Sequence, residues 1–276
     1  MNCIDKNIIS VKRVHGLGNL IFLLPVLDNF SYHGYNVEIY TNTEWHDFIA
    51  AVRPNYLLLH EKLAHTIDLD DATKNMSPQK HRTLDFGELL GSNFPSNRFI
   101  LTIPKRFLSE NICAFTNYVL IAPEAGHKAR QWSKQYIKEV CKKLTFQYNR
   151  KIIIVGKENT DSFPCFLDLR QKLSILDLTS LIYFSDVVVS MDSGVLHLAN
   201  AFQKATVAIF SGINPTYRIL DFHKSIVLQA NLECCPCNKN EICNGNYKCL
   251  EKIKPSNIIE AIDKSNKIQC RTIWRI

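Results

Sequence analysis

The chain has 276 residues, 46% of them hydrophobic, with a formal net charge of +7 at pH 7. That is enough apolar material for one large domain or two of ordinary size. No apolar run reaches the roughly 18 residues of a membrane span, and the start, MNCIDKNIISVKR, carries Asp5 and lacks the apolar core of a signal peptide, so the expectation is a soluble, cytoplasmic protein. The positive balance favours acidic partners, whether phosphorylated ligands, nucleic acid or an anionic membrane surface, without choosing among them.

In chain order, NIISVKRV (7–14) reads as a strand, GLGN (16–19) as a glycine-rich turn, and LIFLLPVLDNFSYHG (20–34) as a helix closed near Gly34, with Pro25 a kink or early-turn residue. NVEIYTN (36–42) and YLLLH (56–60) follow as strands, giving the βαβ rhythm of a parallel sheet. Residues 62–98 are polar and poorly periodic; NMSPQKH and SNFPSN mark that stretch as loops. The rhythm restarts with a strand at NYVLIAP (117–123). WSKQYIKEVCKKL (132–144) has Trp132, Tyr136, Ile137, Val140, Cys141 and Leu144 at helical spacing. KIIIVG (151–156) is a strand, LTSLIYFS (178–185) a helix, DVVVSM (186–191) a strand, SGVLHLANAF (193–202) a helix and ATVAIFSG (205–212) a strand. PSNIIEAIDK (255–264) is a helix begun by Pro255. The natural boundary lies near 100–112, which divides the chain into residues 1–108 and 109–276.

Of the ten cysteines, Cys3, Cys113, Cys141, Cys165 and Cys270 are scattered; without an export signal they are expected to be reduced and buried. Cys234, Cys235, Cys237, Cys243 and Cys249 cluster. Cys234, Cys237, Cys243 and Cys249 have spacings that suit zinc or an iron centre, with NGN (244–246) supplying a turn. A set of reduced packing cysteines is the plain alternative. A metal held there would staple a loop rather than act in catalysis.

The stretch VVVSMDSGVLHLANA (187–201) carries the most chemistry. Asp192 sits between a buried strand and a helix, where a carboxylate makes a good N-cap. Ser193 and Gly194 begin the helix, and their backbone N–H groups, together with the helix dipole, favour a phosphate or pyrophosphate. An Asp192 that caps its own helix competes with that anion, so a contact to a ligand hydroxyl is the other role open to it. His197, about one turn in, faces either ligand or core. The plain alternative is an ordinary cap and a satisfied core histidine.

Four segments, taken in order, resemble glycosyltransferase family 9, the bacterial heptosyltransferases of lipopolysaccharide core synthesis. Residues 187–218 resemble the family's donor-site signature through Asp192, Ser193, Gly194, His197, Phe210 and Pro215. APEAGHKARQW (122–132) resembles its Pro-Gly-Ala…Lys-x-Trp segment, with Arg130 at the basic position and Trp132, read as packing, at the tryptophan. VKRVHGLGNLIFLLPVL (11–27) resembles the amino-terminal strand, Gly-Asp loop and helix. CCPCNKNEICNGNYKCLEKIKPSNII (234–259) resembles its late cysteine segment. The resemblance implies an α/β, GT-B fold: two Rossmann-like parallel-sheet lobes facing a cleft, the amino-terminal one reduced, the nucleotide-sugar donor on the carboxyl-terminal one.

It further implies inverting, metal-independent transfer of heptose or a related sugar from an ADP- or UDP-linked donor to a lipopolysaccharide core-like acceptor. Catalysis then needs no cofactor. Arg130, or Lys128 in its stead, and the Ser193 and Gly194 amides would meet the leaving diphosphate; Glu158 would hold ribose hydroxyls. The match breaks at Asn19, where the family carries the aspartate read as its base. An amide cannot take a proton. Asn19 can orient the acceptor hydroxyl, and His15, in the same loop, can take up a proton near neutral pH. The rival readings are a catalytically inactive GT-B nucleotide- or sugar-binding protein and, with no aromatic–basic pattern to support it, a nucleic-acid binder. No nucleic acid is expected as a partner. A glycolipid or oligosaccharide acceptor, peripheral contact at the inner membrane face and an oligomeric assembly are.

Overall fold

The computed structural model describes residues 7–73, 80–92, 100–158, 160–237, 243 and 246–276. Cys3, most of the loop segments at 75–81 and 92–97, and the first two residues of the NGN turn lie outside them. The chain divides into two compact units, Met1–Phe107 and Leu108–Ile276. Among the described residues no helix is long and apolar enough to cross a membrane.

The first unit holds β1 (Ile8–Lys12), α1 (Leu17–Tyr32), β2 (Asn36–Tyr40), α2 (His46–Val52), β3 (Leu57–Leu59), β4 (Ile67–Asp68), α3 (Leu69–Ala72) and α4 (Arg82–Leu89). Its strands are all parallel and lie in the order β3-β2-β1-β4. α1 buries Leu20 to Leu27 without a break, so Pro25 sits inside a helix whose surroundings are wholly apolar. The stretch read as loops from 62 to 98 also contains β4 and two helices. β4 is two residues long, too short for a period-2 pattern to register, and it exists because it pairs with Val11 and Lys12 of β1.

The second unit holds α5 (Glu110–Cys113), β5 (Tyr118–Ala122), α6 (Lys134–Phe146), β6 (Lys151–Ile154), β7 (Leu167–Asp168), α7 (Ile175–Phe184), β8 (Val187–Met191), α8 (Gly194–Ala201), β9 (Thr206–Phe210), β10 (Ser225–Gln229), α9 (Lys248–Lys252), α10 (Pro255–Ser265) and β11 (Thr272–Arg275). Its parallel sheet runs β11-β10-β9-β8-β5-β6-β7. All five residues of β5, β8, β9 and β10 are buried. That is the signature of strands covered by helices on both faces, and it explains their unbroken apolar runs. The first strand of this unit, β5, lies between β6 and β8, so the winding reverses between β5 and β8. A doubly wound sheet binds ligands at such a reversal, beyond the carboxyl ends of the strands.

Candidate active site

At the reversal of the second sheet the loop after β5 and the turn after β8 meet. His127 caps a short 3-10 turn, Lys128–Arg130, that carries Arg130 towards β8. Arg130 Nη1 lies 3.2 Å from the backbone oxygen of Asp192 and 3.3 Å from its Oδ2. His197 Nε2, one turn into α8, lies 3.2 Å from Asp192 Oδ1. Asp192 and His197 are buried, their side chains only 2% and 6% exposed; Arg130 keeps 27%.

Burial alone would raise the Asp192 carboxyl. The hydrogen bond from His197 and the charges of His197, Arg218 and Arg130 outweigh it and hold the group ionised, below the usual carboxylate range. His197 is pushed the other way: burial lowers its pKa, against the hydrogen bond to Asp192.

This corrects the expectation for Asp192. It does not cap α8. Ser193 is the N-cap residue, and no side chain hydrogen-bonds back to the helix start. The Ser193 hydroxyl instead pairs with Ser190 Oγ at 3.0 Å. With Asp192 drawn off to Arg130 and His197, the first amides of α8 face no carboxylate from their own cap. Arg130 Nε is buried and makes no hydrogen bond among the described residues. A guanidinium edge with an unspent donor beside an uncapped helix start is an arrangement that accepts an anion.

Of the other expected donor residues, Lys128 is exposed on the same turn as Arg130. Glu158 is exposed on the loop after β6, where its backbone N–H is held by the Glu124 carboxylate at 3.0 Å. Trp132 is buried, and its indole N–H donates to the Ile253 carbonyl at 2.9 Å, which is the packing role expected of it. Two residues escaped the sequence reading. Arg218 adds its charge to Asp192 and His197, and Glu124 ties two loops together. Arg218 follows the NPTY turn, which could have drawn attention to it; nothing in the sequence singles out Glu124.

Asn19 and His15 belong to the first unit. Gly16 ends the loop after β1 with φ +78, and a Cβ there would stand 3.2 Å from Asn19 Nδ2, so glycine suits both the backbone and the amide folded over it. α1 starts directly, and the Asn19 N–H bonds Gly16 O at 2.9 Å. The loop is fixed from β4's side: Asp70 accepts from the Val14 and His15 amides at 2.9 and 3.2 Å and faces Arg13 Nη1 at 3.3 Å. The His15 side chain is exposed.

Of the scattered cysteines in the described residues only Cys141 is buried; Cys113 and Cys270 are exposed. In the late segment Cys235 hydrogen-bonds Cys249 and draws its thiol below the usual range, and Cys237 and Cys243 lie within electrostatic reach of the same pair. Among the described residues no group of three or more His, Cys, Asp or Glu side chains is arranged to hold a metal ion.

The family described as glycosyltransferase family 9 (heptosyltransferase) matches residues 63–248. The lipooligosaccharide heptosyltransferase 2 of Campylobacter jejuni is 26% identical over 150 residues, 49% of this chain and 47% of that protein. The chain thus aligns with about half the length of such curated relatives. Among solved structures, the iron-containing dodecameric glycosyltransferase TibC of enterotoxigenic E. coli superposes with a TM-score of 0.77 at 15% identity, covering 97% of this chain and 78% of that one. TibC has also been solved in complex with ADP-D-β-D-heptose. The glycosyl transferase family 9 protein of Veillonella parvula superposes with a TM-score of 0.70 at 16% identity, covering 97% and 99%. At such identities the likeness is one of fold: two parallel-sheet α/β units of the GT-B class.

Proposed function

The chain belongs to glycosyltransferase family 9, and from that membership we propose that it transfers a heptose or related sugar, with inversion, from an ADP-linked donor to a lipopolysaccharide core-like acceptor. One observation carries the reading. Arg130, with an unspent buried donor, lies against the turn where Asp192 has been drawn away from the start of α8, at the winding reversal of the second sheet. The ADP-D-β-D-heptose bound by TibC supplies the donor class.

In this reading the diphosphate lies on the first amides of α8 and the Arg130 guanidinium, with the Arg218 charge behind them. When the bond from the anomeric carbon to the β-phosphate oxygen breaks, the electron pair stays with the phosphate, and these fixed positive groups stabilise it. They supply the countercharge a divalent cation would otherwise bring, so the transfer is proposed to run without a metal. Asp192 keeps Arg130 and His197 in place, one carboxylate oxygen on each. Glu158 holds the ribose diol. As the acceptor oxygen bonds the anomeric carbon, its proton passes to the His15 imidazole, while the Asn19 amide orients the hydroxyl.

Metal at the late cysteine segment is a separate part of the proposal. The expected ligands Cys234, Cys237, Cys243 and Cys249 are soft donors suited to zinc or iron, and Cys243 lies within electrostatic reach of the other three. TibC is described as iron-containing. Bound there, a metal would brace the segment before α9 and take no part in the transfer. Metal content of anaerobically purified protein, with and without Cys237→Ser, tests this.

The decisive assay incubates the protein with ADP- and UDP-sugars and follows release of free nucleotide with and without a core-oligosaccharide acceptor. Acceptor-dependent release from ADP-heptose is expected. Nucleotide binding without turnover on any acceptor would favour the second reading, an inactive nucleotide-binding GT-B protein, which the amide at Asn19 specifically favours.

A further inference from the structure

We infer that Glu124 is a positioning residue for the donor's nucleoside, acting through Glu158; the inference rests on the nucleotide-sugar reading of the preceding subsection. The loops that follow β5 and β6 leave neighbouring strands of the second sheet. Glu124, two residues beyond β5, joins them. Its carboxylate accepts the Lys157 N–H at 2.7 Å and the Glu158 N–H at 3.0 Å to each oxygen. Two adjacent backbone donors that no strand satisfies thus find a charged acceptor, the stronger kind of hydrogen bond.

Gly156 shows how closely the two loops are fitted. A Cβ at this residue would stand 2.4 Å from Glu124 Oε1 and 2.7 Å from its carboxyl carbon. A side chain there would push the Glu124 carboxylate out of the space it occupies and off the amides it accepts from. The Glu124 carboxylate thus anchors the Glu158 backbone.

The consequence is local. Glu124, Trp132, Lys134, Glu158, Phe163 and Arg170 line one recess beside the β5 and β6 loops. A side chain that must hold a ribose diol there does so only if its own backbone is fixed. Glu124 fixes it without entering the diphosphate cradle built from Arg130 and α8. The ligand class it selects is therefore the nucleoside, not the phosphates.

The test is a titration of the full chain with ADP and, separately, with inorganic pyrophosphate. Glu124→Gln is expected to weaken ADP by about tenfold, the usual scale for an outer partner of a ligand-holding side chain, and to leave pyrophosphate unchanged. The donor KM should rise with kcat held. Glu158→Gln should show the same ADP-selective loss, and the double variant should be no worse than Glu158→Gln alone. Amide hydrogen exchange at Lys157 and Glu158 should quicken in Glu124→Gln. Gly156→Ala, which displaces the carboxylate while leaving Glu124 in the chain, should reproduce the loss and serves if Glu124→Gln fails to fold. ADP affinity unaltered in both variants, equal losses of ADP and pyrophosphate, or additive losses in the double variant would overturn the inference alone. A wild-type protein that binds pyrophosphate but neither ADP nor UDP would overturn the nucleotide-sugar reading, and the inference with it.

Discussion

Replacing Arg130 by alanine is the most direct challenge to the anion cradle. The guanidinium has one nitrogen shared between the backbone oxygen and Oδ2 of Asp192, at 3.2 and 3.3 Å, and a buried Nε with nothing to donate to among the described residues. A hydrogen bond to a charged group contributes roughly 1.5–3 kcal/mol net. Because the side chain keeps 27% of its surface in solvent, the low end applies, about 2 kcal/mol. That corresponds to an ADP Kd raised about 30-fold. Arg130→Lys keeps the charge but loses the fork, and about half of the energy, so a loss of about fivefold is expected.

Stability should change much less. Asp192 retains His197 as a partner, so Arg130→Ala is expected to cost the fold about 1 kcal/mol, a fall in Tm of roughly 2–4 °C for a unit of this size. Calorimetric titration of ADP, paired with thermal unfolding of each variant, separates the two effects. The losses should also shrink at high salt, since the side chain is part-exposed. An Arg130→Ala protein that binds ADP within twofold of wild type would refute the cradle. So would one whose weakened binding is matched by a large fall in Tm, because Arg130 would then be acting on the fold rather than on the ligand.

Three further outcomes follow from the same geometry. His15→Ala should lower kcat about 100-fold, the low end of general-base catalysis, with ADP affinity unchanged, and adding Asn19→Asp should recover part of the rate; a His15→Ala enzyme of full activity would remove it as the base. His223 is buried, and desolvation pushes its pKa down to about 3. Since the unfolded chain binds that proton first, its contribution is intact above about pH 6.5 and is lost as pH falls toward 3; between pH 7 and pH 5 about 2 kcal/mol of stability should disappear. His223→Asn, whose amide oxygen can still accept the Leu220 N–H that Nδ1 now accepts at 3.3 Å, should flatten that part of the denaturant-unfolding profile, and an unchanged slope would refute the assignment. Trp132→Phe should destabilise by about 1–2 kcal/mol by leaving the buried Ile253 carbonyl without its indole donor, seen as a lower urea midpoint at constant m-value.

The long apolar strands and the strand–turn–helix at 187–201 were legible because each carries its cause locally. Three to five buried, mostly β-branched or aliphatic residues mark β5, β6, β8 and β9, and Pro255 opens α10 as Pro does at a first helical position. β4 was not legible, since a two-residue strand is defined by its partner rather than by its own pattern. The role of Asp192 was misread for a related reason. Locally it has everything an N-cap needs; what draws it away is Arg130, 62 positions earlier, and His197, and no window along the chain contains both. Glu124 is the extreme case. Its partners are backbone amides 33 and 34 positions away, and backbone groups leave no mark in a sequence.

That division has a chemical logic. The proposed phosphate-binding half of the site would use groups every chain possesses, amides at a helix start, for which Ser193 and Gly194 leave the way clear. The proposed selective half would depend on side chains delivered by distant segments: Arg130 from the β5 loop, Asp192 from the β8 turn, Glu158 from the β6 loop by way of Glu124. A carboxylate as buried as Asp192 survives only because His197, Arg130 and Arg218 are all supplied to it. Removing the carboxylate should therefore do more harm than removing any one partner. Asp192→Asn would leave the Arg130 and Arg218 charges without the carboxylate on which both act, until a diphosphate arrives. Such a protein should be less stable than wild type in buffer and gain more Tm than wild type on adding ADP, and a smaller gain would mean that Asp192 serves the ligand directly rather than the arginines.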